Sequence, residues 1–309
     1  MKQHKSRTAD KPSPDAAPRA GKVSNTTNTI SQRIVLILTI AYFFIELVGG
    51  LYYRSLALVT DASFMAINIS GQFIALYVAR LAQRLPDKHR TFGYERAKVL
   101  SGLFNGTLVG FLIFYVFIEA YHKMLHPEPL EAGKILFIAV LGLFVNAFGL
   151  LKLYKHLSDI NIKGTLLLIL NDTLGSVGVI ASSILIHYTH LYSIDPLTGV
   201  IIAFLAAYPT YFLIKDSVQI LMEGNPAKVT TDDVEAFLHK NFPDISNVKD
   251  THIWGLSPEK IILALRIRTN GTVYHRDTVK MMKHQLKDRF GFADMYIEAY
   301  ETKQEPSGR

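Results

Sequence analysis

Two carboxylates and two amides lie inside apolar stretches long enough to cross a bilayer. Asp61 and Asn68 fall within Ser55–Ala82 (SLALVTDASFMAINISGQFIALYVARLA), and Asn171 and Asp172 fall within Gly164–Tyr188. A charged side chain at bilayer depth costs about 2.5–3.5 kcal/mol on insertion scales, so it is retained where it pairs, binds a cation or moves a proton. Oxygen donors of this kind suit hard divalent cations. Positions four apart on a helix share a face one turn apart, which places Phe64 with Asn68. Glu46 adds an acid within Ile34–Tyr53. The competing reading for all these groups is interhelical hydrogen bonding, worth about 0.6 kcal/mol per contact, and Asn105 and Asn146 are assigned to it. For the carboxylates the insertion cost favours function.

The elements that must position these groups are membrane helices. The chain has 309 residues, of which 49% are hydrophobic and 19% charged, with the charges gathered at the two ends and in short connectors. About six spans follow from apolar length, each near the 20 or so residues that cross the hydrocarbon. They run Ile34–Tyr53, Ser55–Ala82, Val99–Tyr121, Ile135–Tyr154, Gly164–Tyr188 and Pro196–Ile214, the last containing Pro209 as a kink position. Basic residues concentrate in the N-terminal tail and in the second connector (Arg84, Lys88, Arg90), with Lys152, Lys155 and Lys163 bordering the fourth. The alternate connectors carry fewer, so the positive-inside rule places both termini in the cytoplasm; the expected location is the cell (inner) membrane. The same rule accounts for the net charge of +7 without nucleic acid. With no cysteine there is neither a disulfide nor a thiolate metal site.

Residues 1–33, rich in Lys, Arg, Ser, Thr and Pro, read as a disordered basic tail. From Lys215 the chain turns soluble: a helix at Thr230–Phe242, strands at Ser246–Leu256 and Lys260–Thr269, a helix at Val279–Phe290 and a strand at Ala293–Tyr300. The expected organisation is a transmembrane domain over 34–215, an α+β dimerisation or regulatory domain over 216–301 and a polar tail over 302–309. No nucleophile–base arrangement marks an enzyme, and no prosthetic group is implied. His122, His126, His187 and His190 lie at span ends, where solvated interface residues are the favoured reading over a loose metal patch.

Several stretches resemble the cation diffusion facilitator family of divalent-metal transporters. SLALVTDASFM is similar to its second-span opening, and DKHRTFGYERAKVLSGLFNG (Asp87 to Gly106) to its basic connector and third-span start. LNDTLGSVGVIAS (Leu170 to Ser182) looks like its fifth span, while SIDPLTGVIIA, SVQILMEGNP and KDTHIWGL resemble its sixth span, exit segment and first soluble strand. The resemblance covers roughly Ile34 to Glu301. It implies six transmembrane helices, a ferredoxin-like cytosolic domain, a homodimer, and export of a divalent metal from the cytosol against protons.

The family builds its transport site from one i, i+4 pair on the second span and another on the fifth, His then Asp in zinc members. Here those positions hold Phe64 with Asn68 and Leu168 with Asp172, so only Asp172 matches. The resemblance thus marks a divergent member with degraded transport-site ligands. Zinc sites use four ligands, or three with water, and this set does not supply them. Asp172, Asn68 and Asp61, with Asn171, Ser63, Thr60 or Ser176 filling the shell, are the expected oxygen-rich site, suited to harder ions. With no intramembrane His on the second span, proton exchange would fall to Asp172, Asp61 or Glu46. The alternative is a non-transporting relative acting as a partner or regulatory subunit. In the soluble domain the family's three histidine positions hold His252, Arg266 and Asp294. His252 and Asp294 form a weak metal pair; the favoured reading is an Arg266–Asp294 salt bridge with His252 packed or capped. The connector after the fourth span holds His156 alone.

Overall fold

The computed structural model describes residues 20–154, 160–226, 229–269 and 276–301, with side chains placed for 34–152, 169–226, 229–269 and 277–300. Six long helices come first: α1 (Ala20–Tyr52), α2 (Leu56–Ala82), α3 (Arg96–Leu125), α4 (Ala132–Tyr154), α5 (Ile160–Thr189) and α6 (Ile194–Leu221). All six are long and apolar enough to cross a membrane. The helix expected to begin at Ile34 begins at Ala20, because Pro18 is the last proline before the span and each further residue adds a hydrogen bond to an existing helix. Residues 1–19 of the expected tail, and 302–309, lie outside the described residues. Helix α6 continues through Pro209.

Helix α2 sits between the others. Ser55, in extended geometry, caps it by accepting a hydrogen bond from the Leu58 amide at 3.2 Å. Its first two turns are buried, and Ala57, Leu58, Phe64 and Met65 join Tyr42, Ile135, Ala139, Val179, Ile202 and Ala203 in one apolar core drawn from all the helices around it. Arg54, at φ 56°, turns the chain between α1 and α2. That turn is tied to the far loop by Arg54–Glu128 at 2.8 Å and by Lys123 Nζ donating to the Arg54 carbonyl at 2.8 Å.

The soluble part follows the expected order: α7 (Thr231–Asn241), β1 (Ile245–Ser257), β2 (Lys260–Thr269), α8 (Arg276–Phe290) and β3 (Asp294–Glu301). A reciprocal Thr230–Asp233 capping box starts α7. The sheet order is β1-β2-β3, antiparallel then parallel. Leu263, Leu265 and Ile267 of β2 pack with Val234 and Leu238 of α7 and with Met282 and Leu286 of α8. This separate apolar core is what the strand alternation predicts.

Candidate metal centre

Four helices of the bundle converge on a buried acidic cluster. Asp61 of α2 is 3% exposed, Asp172 of α5 is 6% exposed, and Glu46 of α1 is fully buried. Their carboxyl groups are close enough to act on one another electrostatically. None has a Lys or Arg ion-pair partner among the described residues. Each acid comes from a different helix, so the arrangement exists only in the folded bundle.

Small residues and hydroxyls shape the cluster. Asp61 leans on Gly175, where an added Cβ would come within 2.9 Å of the Asp61 Cγ, so the missing side chain is what admits the carboxylate to α5. Tyr42, one turn before Glu46, donates its hydroxyl to Glu46 Oε1 at 3.0 Å, and its ring fills the space left by Gly142 of α4. Asn146 of α4 donates to the Ser176 hydroxyl at 3.5 Å, one turn after Asp172. The carboxyl groups of Glu46 and Asp61 lie within hydrogen-bond reach of one another, and their second oxygens, Oε2 and Oδ2, are buried with no amide or hydroxyl donor. Buried acceptors of this kind, left open in a low dielectric, suit a cation or a proton.

The other residues marked by the sequence divide clearly. Phe64 is 4% exposed and belongs to the apolar core. Asn68 is half-buried, two helical turns from Asp61 on the same face of α2. Of the shell-filling residues, Ser176 joins the cluster, whereas Ser63 donates back to the Val59 carbonyl at 2.6 Å and Thr60 faces Gly199 of α6. Asn171 is half-buried. The side chain of Leu168 and the connector carrying Lys155 and His156 lie outside the described residues, as does the side chain of Lys163. Asn146 does bond across helices, but the Asn105 carbonyl oxygen has no partner and serves as packing against Gly71.

Residues 33–222 match the pattern of the cation efflux transmembrane domain. The chain is 34% identical over 273 residues to the cation efflux system protein CzcD of an Alcaligenes species, covering 88% of this chain and 86% of that protein. The chain belongs to the cation diffusion facilitator family. It is also 33% identical over 246 residues to the zinc transporter ZitB of Pectobacterium atrosepticum, covering 78% of this chain and 77% of that protein. A third relative is the cadmium, cobalt and zinc/H(+)-K(+) antiporter of Bacillus velezensis, 30% identical over 262 residues and 83% of each chain.

In this family member the soluble-domain histidine positions do not come together. His252 pairs with Ala264 across β1 and β2, while Asp294 pairs with Ile262 across β2 and β3, so two strand spacings separate them. The expected Arg266–Asp294 bridge is absent. Arg266 stands opposite Glu298 in the parallel register and binds it at 2.8 Å, with Asp250 of β1 at 3.1 Å; Asp294 instead accepts from the Tyr296 hydroxyl at 3.0 Å. The two carboxylates hold the Arg266 guanidinium pKa above its usual value. His252 is exposed, not packed, and lines a cleft of about 750 Å³ with His89, Arg90 and Trp254. Among the described residues no three His, Asp or Glu side chains form a ready metal cage.

Two residues have no clear signal in the sequence. Tyr42 is marked only by its four-residue spacing from Glu46. Asp195 of α6 accepts from the Ser55 hydroxyl at 2.5 Å and from the Leu56 and Ala57 amides at 2.6 and 3.4 Å. It places a carboxylate at the positive end of α2, a contact 140 residues long that has no local signature.

Proposed function

We propose that the chain exports a divalent metal cation from the compartment that bathes its soluble domain, in exchange for protons and as a homodimer. Its transport site centres on Asp61 and Asp172, with Asn68 the nearest neutral oxygen on the same face of α2. The observation that carries this reading is the packing of the buried Asp61 carboxylate of α2 against Gly175 of α5, one turn from the buried Asp172, with no amide or hydroxyl donor on its second oxygen. Relatives named for cation efflux, zinc transport and proton-coupled antiport support the reaction class. The donors are all oxygen, which favours harder ions such as Mn²⁺, Mg²⁺ or Fe²⁺ over zinc in a thiolate or imidazole cage.

A second reading has its own observation. Phe64 is sealed in the apolar core at a position where the family places a ligand, and no three-ligand cage is preformed among the described residues. A scaffold that pairs with an active transporter would look the same. Liposomes loaded with a proton-sensitive dye and challenged with Mn²⁺, Mg²⁺, Fe²⁺, Co²⁺, Zn²⁺ and Cd²⁺ separate the two. Transport by the oxygen site gives metal-dependent proton flux that Asp172→Ala and Asp61→Asn each reduce by about 100-fold, since even supporting residues of metal sites cost 10–100-fold. Absence of flux with every ion overturns the transport reading and leaves the partner reading.

A further inference from the structure

The connector between α2 and α3 presents cations and apolar side chains together at the end of a membrane span. Leu85 is 85% exposed and Phe92 is 43% exposed. Arg80, in the last turn of α2, and Arg84 and Lys88, just beyond it, are exposed and have no carboxylate within ion-pair distance among the described residues. The connector's own acid, Asp87, is occupied: it accepts from the His89 and Arg90 amides at 2.8 and 2.7 Å and from the Tyr94 hydroxyl at 2.8 Å. Arg90 stacks on the Tyr94 ring, and Gly93 at φ 77° closes the turn. The loop is therefore internally braced while its charges point outward. It lies on the soluble-domain side, because Arg96 at the start of α3 binds Glu223 after α6 at 3.0 Å, and Glu95 approaches Lys260 of β2 at 4.0 Å.

We propose that this connector is a docking surface for acidic phospholipids of the adjacent leaflet. Arg80, Arg84 and Lys88 contact headgroup phosphates, and Leu85 seats at the acyl boundary. A purely solvated loop has no use for a leucine held almost wholly in water, and a purely apolar contact has no use for three unpaired cations. Lipid satisfies both, because the span ends at Ala82 and its long basic side chains reach the headgroup level.

The cysteine-free chain makes the test direct. A nitroxide is attached to Leu85→Cys, or to Gln83→Cys so that Leu85 is kept, in full-length protein reconstituted into phosphatidylcholine vesicles with or without phosphatidylglycerol. The readout is collision with a neutral water-soluble nickel reagent. Acidic lipid is expected to lower that accessibility about threefold or more, and Arg84→Gln with Lys88→Gln to restore it, given the usual attraction of each basic residue to an acidic surface. A label at Ser246→Cys, exposed on β1, stays unchanged. Free inorganic phosphate added to phosphatidylcholine vesicles leaves the connector label unchanged as well. Equal accessibility in the two lipid mixtures, or a drop that survives the double substitution, overturns the proposal.

Discussion

The acids of the membrane bundle and those of the connector and soluble domain are treated in opposite ways. Outside the membrane each prominent acid has a donor. The Tyr94 hydroxyl and the Arg90 and His89 amides hold the Asp87 carboxyl below the usual aspartate range, Arg54 does the same for Glu128, and the Thr230 amide and hydroxyl do so for Asp233. Inside the bundle, the buried Glu46 and Asp61 each keep an oxygen with no amide or hydroxyl donor, and have only one another's carboxyl group within reach. Asp195 shows that the bundle can satisfy a buried carboxylate when the role is structural, since three donors meet it. Among these carboxylates, open acceptors are thus confined to the cluster where the substrate is proposed to bind, and that contrast separates architecture from chemistry in this fold.

Gly175→Ala attacks the contrast where it is sharpest. The new methyl meets the end of the Asp61 side chain, which can swing away, so folding is spared and the site is not. Metal flux in liposomes is expected to fall about 10- to 100-fold while the unfolding midpoint in detergent barely moves. A large loss of stability with normal flux would reverse the assignment. Asp195→Ala has the opposite signature. Removing a helix cap and leaving buried donors unmet is expected to cost about 2 kcal/mol of stability, read as a lower unfolding midpoint. The smallest effect is expected at Asp87. Its folded pKa is depressed, so its contribution is present above the ordinary aspartate value of about 3.9 and is lost as pH falls through the lower folded value. Tyr94→Phe removes the largest cause and moves that loss to higher pH. Hydrogen exchange of the His89 and Arg90 amides across acidic pH reports it.

Much of the architecture was legible because apolar length and strand alternation are local. The six spans and the helix–strand–strand–helix–strand order needed no long-range information. Asp172 and Asp61 stood out because a carboxylate in an apolar run is costly to insert and is seldom kept without a use. What was not legible depends on register and on distant partners. Arg266 pairs with Glu298 and not with Asp294 because the parallel β2–β3 register sets them side by side, and a one-dimensional pattern does not fix that register. The Asp195 cap joins Ser55 over 140 residues of sequence. The early start of α1 reflects helix propagation through Ser, Asn and Thr residues whose own preferences point elsewhere.

The Asp195 grip on the start of α2 also fixes a depth. Asp61 is six residues beyond Ser55, about 9 Å along the axis at 1.5 Å per residue, or roughly a third of a hydrocarbon core about 30 Å thick. A divalent ion travelling from the soluble-domain side to Asp61 would already have crossed about two thirds of the transmembrane voltage drop. At about 2.3 kcal/mol per charge per 100 mV, that is roughly 3 kcal/mol of electrical work per 100 mV at the binding step. Occupancy of this site, and not release from it, would then carry most of the sensitivity to membrane potential.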